Sequence, residues 1–396
     1  MKHLKNVQRN VIVVNREDFP ILDTGIIYFD NACMSLKPNQ VINKVMEYYR
    51  NYPSCAGRSS HHLSTKLNDE VHKARNNLRK YFNAKSDNQI IFTKNTTESI
   101  NLVANSFGLK PEDKVLISDK EHNSNLIPWQ KQNLVILNSN DDNTFNLDLF
   151  KEKVEGIKLV ALGHTSNLDG VTIPAKKIIK IAHKAGAKVL LDGAQSAPHK
   201  EVNLKSLDAD FFACSGHKML GPTGMGLLYA KEPNQLKPFI VGGETVVDST
   251  YTTHTYEESP MKFEAGLQHY AGILGFGEAS QYLKKIIVKV EKQETKLNTI
   301  LTDELKDHVN IIGPLDPKLR AGIFNFTVDG MDPHEISIML DTTRKILIRS
   351  GAHCVHSWFN KHKIKGSARA SLYFYNTEDE CMKFVRELKK ILVHFK

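Results

Sequence analysis

Between Tyr28 and Ala230 short apolar runs alternate with stretches of helical periodicity, and no other property constrains the fold as tightly. Runs at 89–93, 114–118, 134–138, 158–163, 188–192 and 211–215 read as strands. Residues 68–82, 99–107 and 175–184 repeat their apolar positions with the period of a helix. Such alternation predicts an α/β fold around a mostly parallel sheet. In sheets of that kind ligands collect at the carboxyl ends of the strands. Asn95, Asp192 and Ser215 fall at such ends.

After Glu264-Ala265-Gly266 the texture changes. A long helix is expected over 272–305, broken near Val288, then strands at 322–328, 345–349 and 368–374, with helices at 333–340 and 377–394. A chain of 396 residues is too long for one ordinary core. The pattern predicts a large domain over 26–275 and a smaller α+β domain made of 1–25 and 276–396.

Composition narrows the function classes. Hydrophobic residues make up 41% and charged residues 24%, as in globular proteins, and no apolar run approaches the ~20 residues that span a bilayer. Met1-Lys2-His3-Leu4-Lys5 is basic, but no apolar segment or cleavage site follows it, so no secretory signal is expected. Cys33, Cys55, Cys214, Cys354 and Cys381 lack metal-type spacing and fit a reducing cytoplasm. The net charge of +9 is spread along the chain without interleaved aromatics, so a solvated lysine surface is expected and not a nucleic-acid site.

Chemistry concentrates in Ser215-Gly216-His217-Lys218 and Asp192-Gly193-Ala194-Gln195. A lysine amine forms Schiff bases once desolvated or crowded by positive charge. An aspartate closing an apolar strand can keep a pyridinium nitrogen protonated. Alone, each residue reads as a surface turn or a strand cap. Together they are the two halves of a pyridoxal phosphate site. Asn95-Thr96-Thr97-Glu98-Ser99 opens a helix, where free N–H groups and hydroxyls suit a phosphate, although an ordinary capped helix start reads the same way. Ser215 and His217 can add donors, Gln195 can reach the cofactor's phenolic oxygen, and His122 can stack on its ring. Gly221-Pro222-Thr223-Gly224-Met225-Gly226 reads as a turn leading away from the lysine. In Arg349-Ser350-Gly351-Ala352-His353-Cys354 a loop cysteine lies beside a histidine and near an arginine, which suits a reactive thiolate. Arg369, among small and apolar residues, suits a carboxylate clamp or a structural ion pair.

These motifs, with Tyr28-Phe29-Asp30-Asn31-Ala32, Glu121-His122-Asn123, His164-Thr165-Ser166-Asn167, Phe263-Glu264-Ala265-Gly266 and Arg369-Ala370-Ser371, run in one order along nearly the whole chain. In that order the chain resembles class V, fold type I pyridoxal phosphate enzymes, specifically the cysteine desulfurase and selenocysteine lyase-like family. The resemblance implies a seven-stranded, mostly parallel sheet in the large domain. It implies that Lys218 carries pyridoxal 5'-phosphate, Asp192 pairs with the ring nitrogen, Gln195 contacts the phenolic oxygen and His122 stacks on the ring. Thr96, Thr97, Ser215 and His217 bind the phosphate. Arg369 with Asn167, and Arg349, bind substrate, and Cys354 takes the sulfur of L-cysteine as a persulfide, leaving alanine. A homodimer and a sulfur-acceptor protein, with uses such as iron–sulfur cluster assembly, are implied as partners. The other four cysteines are expected to be replaceable. Selenocysteine lyase, another class V lyase, epimerase or transaminase, and a non-enzymatic sulfur-transfer scaffold remain as alternatives. Leu267-Gln268-His269 stands where the family has Thr-Pro-Asn, Gly57 where many relatives have histidine, and Gly242-Gly243-Glu244 where they have three glycines.

Overall fold

The structure, a computed structural model, describes residues 15–57 and 59–394. The basic start of the chain lies outside them. Seven strands form the main sheet: β1 (Ile90–Thr93), β2 (Lys114–Ser118), β3 (Asn133–Leu137), β4 (Ile157–Gly163), β5 (Lys188–Asp192), β6 (Phe211–Ser215) and β7 (Gly226–Ala230). Their order is β1-β7-β6-β5-β4-β2-β3. Pairings from β6 through β3 are parallel, while β7 runs antiparallel to both β1 and β6. The α/β class and the mostly parallel seven-stranded sheet therefore hold.

Continuous apolar runs form the sheet centre because both faces are covered. Residues 159–162, 189–191 and 211–213 are all 0% exposed. One face packs against a cluster that includes Leu78, Phe212 and Phe276, the other against one that includes Ile100, Val103 and Trp129. β7 was not expected from the sequence, because the turn before it dominates the local reading. Its first residue explains that turn: a Cβ on Gly226 would sit 2.5 Å from the Asn95 Cα, so only glycine lets the strand pass under Asn95, which caps the helix following β1.

Helix α1 (Asn39–Asn51), also unexpected, and α2 (His62–Tyr81) precede β1; α3 (Thr96–Ser106) follows it, and α4 (Ala175–Lys184) lies between β4 and β5. Helix α5 (Tyr270–Leu305) runs unbroken for 36 residues, correcting the expected break near Val288. Val288 is 80% exposed between buried Ile287 and Val290, so the lapse in periodicity marks a solvent-facing position. No glycine or proline occurs between Tyr282 and Leu305 to interrupt the hydrogen-bond ladder.

Four short strands form a second sheet: β8 (Asn310–Ile311), β9 (Ile323–Thr327), β10 (Arg349–Gly351) and β11 (Ser367–Ser371), in the order β8-β9-β11-β10. Helices α6 (Pro333–Arg344), α7 (His356–His362) and α8 (Glu378–His394) complete this half. The run expected at 345–349 divides: Ile346–Leu347 pairs in parallel with Ile27–Tyr28, and Arg349 moves to β11. Helix α5 belongs to both cores, with Tyr270 to Val290 in the first and Leu297, Leu301 and Leu305 in the second. A division at 275 therefore falls inside a continuous helix, and packing changes only after Val290. Of the first 25 residues, those described pack at this seam. Phe19 meets Tyr282, Phe374 and Tyr375, and Arg16 pairs with Glu380 at 2.8 Å. No helix among the described residues is long and apolar enough to cross a membrane.

Candidate active site

A cavity of about 260 Å³ opens at the carboxyl ends of β2, β4, β5 and β6. Every cofactor-, substrate- or sulfur-binding candidate from the sequence lines it: Thr96, Thr97, His122, Asn167, Asp192, Gln195, Ser215, His217, Lys218, Arg349, Cys354 and Arg369. Sheet topology explains the convergence, since parallel strands deliver their last residues to one edge.

Lys218 ends a single 3-10 turn, Gly216–Lys218, directly after β6. The turn is clamped by Gly216 N donating to Met225 O at 2.8 Å. Ser35 and Lys37 hold the next carbonyl: Ser35 Oγ donates to His217 O at 3.1 Å and Lys37 Nζ donates to it at 3.0 Å. Burial lowers the pKa of Lys218, with the Asp192 carboxylate opposing the shift. That favours the neutral amine needed for Schiff-base chemistry.

Asp192 closes β5, 7% exposed, and Ala194 N donates to its Oδ1 at 2.9 Å. Burial raises its pKa, while the Ala194 amide and Lys218 oppose the rise. A buried carboxylate with one backbone donor and no ion pair fits a protonated ring nitrogen. His122 accepts from Ser124 N through Nδ1 at 3.1 Å. Its pKa falls to about 3, first from burial, then from Lys218, Arg369 and Arg349 nearby. Such a shift favours the neutral ring, which can stack on a cationic heterocycle.

At the end of the cavity beside α3, Ser215 Oγ accepts from Thr96 N at 2.9 Å and lies 2.6 Å from Thr96 Oγ1. Thr97 Oγ1 and Ser124 Oγ are 2.7 Å apart. Four hydroxyls and the first turn of α3 thus share one wall with His217, a donor set that fits a phosphate group. His217 itself is pushed to about 4 by burial and by Lys218. Gln195 Nε2 donates to Ala32 O at 2.8 Å, which fixes the amide in the cavity wall.

The opposite wall comes from the second sheet. His353 and Cys354 have φ of 49° and 60°, left-handed values that cost non-glycine residues of the order of 1–3 kcal/mol each. The loop is held there by Asn123 N donating to Cys354 O at 2.7 Å and Asn167 Nδ2 donating to His353 O at 2.8 Å. Asn167 therefore holds the cysteine loop through the amide expected to meet substrate. His353 is buried, pushed down to about 2 by burial and the two arginines, and bonded through Nε2 to Ser367 Oγ at 2.9 Å. It is neutral and no cationic partner for Cys354. Arg349 Nη1 donates to Cys33 Sγ at 2.9 Å. Both neighbours expected to stabilise the Cys354 thiolate are thus engaged elsewhere.

Arg369, on β11 and 2% exposed, donates from Nη1 to Asn167 O at 2.9 Å, and its Nη2 lies 3.7 Å from Asp30 Oδ1. Its Nε has no hydrogen-bond partner among the described residues. Burial pulls even this guanidinium down to about 10. A buried arginine so sparsely bonded is ready for a carboxylate.

Sequence reasoning missed Cys33 and Glu121. Cys33 directly follows the Tyr28–Ala32 motif, and Glu121 precedes His122; their place in those motifs was the available signal. Glu121, 3% exposed, accepts from Ser118 Oγ, Asn125 Nδ2 and Gly163 N, and burial raises it to about 7. Among the described residues no three His, Cys, Asp or Glu side chains converge as a metal site.

Residues 27–384 match the family described as Aminotransferase class-V. The chain belongs to that family. A protein of Synechocystis named probable cysteine desulfurase is 39% identical over 402 residues, covering 96% of this chain and 95% of the relative. One from Pyrococcus abyssi with the same name is 38% identical, covering 95% and 96%. The solved apo cysteine desulfurase of Thermococcus onnurineus superposes with a TM-score of 0.92 at 37% identity, covering 96% of this chain and 97% of that one. A cysteine desulfurase from Escherichia coli gives 0.89 at 30%, covering 96% and 99%. Within the class-V aminotransferases, then, the chain groups with cysteine desulfurases. Pyridoxal 5'-phosphate is the cofactor of this family and of this enzyme.

The three departures noted in the sequence cluster beyond this cavity. Leu267 is 69% exposed and offers no side-chain donor. Gln268 Nε2 donates to the carbonyls of Glu264, Ala265 and Gly266, tying that turn to itself. Gly57 has φ +82° and Glu244 φ 70°, both in the left-handed region.

Proposed function

We propose that the cavity removes sulfur from L-cysteine, with the roles distributed as follows. Lys218 is the covalent attachment point of the cofactor and the group that moves protons at the substrate carbons. Asp192 holds the ring-nitrogen proton, His122 covers one ring face, and Thr96, Thr97, Ser215 and His217 hold the phosphate. Gln195 faces the phenolic oxygen, and Arg369 takes the substrate carboxylate. Bound pyridoxal phosphate supplies an electron sink that weakens bonds at the substrate's α and β carbons.

Cys354 Sγ attacks the sulfur of L-cysteine. A sulfur–sulfur bond forms, the carbon–sulfur bond breaks with its electron pair left on carbon, and that carbon is protonated. One cysteine and one enzyme thiol become alanine and Cys354 persulfide, with no outside oxidant or reductant. Arg349, bonded to Cys33 through Nη1 and lining the same cavity, binds substrate from this end of the site. Convergence of Lys218, Asp192 and Cys354 on one cavity, in a chain that groups with cysteine desulfurases, carries this reading.

Two further expectations belong to this proposal. Exposed Val241, Val247, Tyr251, Met261 and Leu267 support a homodimer that covers them. A persulfide partly open to the cleft supports delivery to a sulfur-acceptor protein. The test is turnover of L-cysteine with a thiol reductant. Alanine and sulfide should form in equal amounts; sulfide formed with pyruvate in place of alanine would mark a lyase instead.

A further inference from the structure

Cys354 does not stand alone in the cleft. Cys33 lines the same cavity, together with Lys218, Arg349 and Arg369. A tight turn fixes it there: Cys33 N donates to Asp30 O at 3.1 Å, Ala32 N donates to Ser371 Oγ at 2.9 Å, and Gln195 holds Ala32 O. Arg349 Nη1 donates to Cys33 Sγ at 2.9 Å, and Arg349 opens the strand whose loop carries Cys354. Both sulfurs act on the charges of Lys218 and Arg369, so the two thiols share one electropositive corner. In that corner Arg369 Nε is buried with no hydrogen-bond partner among the described residues. The other cysteines do not line the cavity: Cys214 and Cys381 are buried with their thiols pushed well up by burial, and Cys55 is exposed outside it. Sequence alone had grouped Cys33 with them.

We propose that Cys33 is a second sulfur carrier, which takes the outer sulfur of the Cys354 persulfide inside the cleft and frees Cys354 for another L-cysteine. The inference rests on Cys354 as first acceptor. The Cys33 thiolate attacks the outer sulfur of Cys354–S–SH. A bond from Cys33 Sγ to that sulfur forms, the bond from it to Cys354 Sγ breaks, and Cys354 leaves as a thiolate that takes up the proton lost by Cys33. One thiol and one persulfide exchange places, so the oxidation level is conserved. Arg349 serves the step by donating to the attacking sulfur, since a thiolate is the nucleophile in such exchanges. The Cys354 loop is pinned at two carbonyls, so a thiol in the same cleft is a ready recipient.

The test is a reductant-free burst. Enzyme carrying pyridoxal phosphate is mixed with excess L-cysteine and no acceptor, alanine is counted per subunit, and the protein is alkylated, digested and weighed peptide by peptide. Wild type should release twice the alanine of Cys33→Ala and of Cys33→Ser, with added sulfur on the Cys354 peptide first and on the Cys33 peptide later. In Cys354→Ala neither peptide should gain sulfur. Equal bursts in wild type and both Cys33 variants, with sulfur confined to Cys354, would overturn the inference and leave the desulfurase reading intact. A Cys33–Cys354 disulfide with free sulfide would overturn it too, because the inner sulfur would then be the one attacked. Cys33 gaining sulfur in Cys354→Ala would show direct transfer from substrate and no relay. Alanine formed in wild type with sulfur on neither cysteine would instead sink the reading on which the inference rests.

Discussion

Lys218 and Asp192 carry opposite charge tendencies into one buried space. Burial lowers the lysine and raises the aspartate, and each is the other's counter-charge. Lys218→Ala is expected to abolish turnover and the yellow absorbance of the bound cofactor. Turnover of L-cysteine at the native rate in that variant would refute its role. Asp192→Asn should keep the cofactor bound while turnover falls roughly 10²-fold, the scale of losing one preorganised electrostatic contact. Cofactor content by absorbance beside steady-state rates checks this, and native kinetics would assign Asp192 another role. These residues were legible because their chemistry is bound to motif position. The set of residues was legible too, but not their pairings. Nothing in Arg349-Ser350-Gly351-Ala352-His353-Cys354 says that His353 turns to Ser367 or that Arg349 reaches Cys33, 316 positions away. Such pairings follow from sheet register, which local sequence does not encode.

At the scale of elements, the segment after β2 shows how a strand end sets an imidazole in the cavity. Glu121 holds Ser118, Asn125 and Gly163 together, and its neighbour His122 enters the cavity. Glu121 sits at about 7 when folded, above its ordinary 4.5, so the folded protein keeps this proton longer than the unfolded chain. Stability linked to it is fully present below pH 4.5 and declines as pH rises toward 7, by up to the order of 3 kcal/mol. Glu121→Gln, nearly isosteric, should remove that decline. Urea midpoints of both proteins at pH 5 and pH 8 test it; a gap between them that does not change with pH would contradict the assignment. Strands β2, β5 and β6 were placed to the residue from sequence because fully buried runs are continuous and flanked by polar ends. Helix α5 was misread at Val288, since one exposed apolar residue disturbs a periodicity without breaking a helix.

Across the whole molecule, α2 and the turn before α5 are locked by a buried bidentate pair. Arg75 Nη1 and Nη2 donate to Glu264 Oε1 and Oε2 at 2.7 and 2.8 Å, and Glu264 also accepts from Phe92 N at 2.7 Å. Glu264→Ala leaves a guanidinium buried without its partner and should cost about 3–5 kcal/mol, read as a lower urea midpoint. A midpoint within error of wild type would show that water or movement relieves Arg75. A change in texture after Gly266 was legible, but not where the helix passes from one cluster to the other, because one continuous helix serves both. The site draws its cofactor wall from the first core and its cysteine wall from the second. The central claim is that these walls act together, Lys218 on one side and Cys354 on the other. The most direct measurement is the mass of the Cys354 peptide after brief treatment with L-cysteine, taken beside alanine released. One added sulfur on that peptide for the first alanine formed, and neither product in Cys354→Ala that still binds cofactor, is the expected result. Alanine formed at the native rate in Cys354→Ala would contradict it.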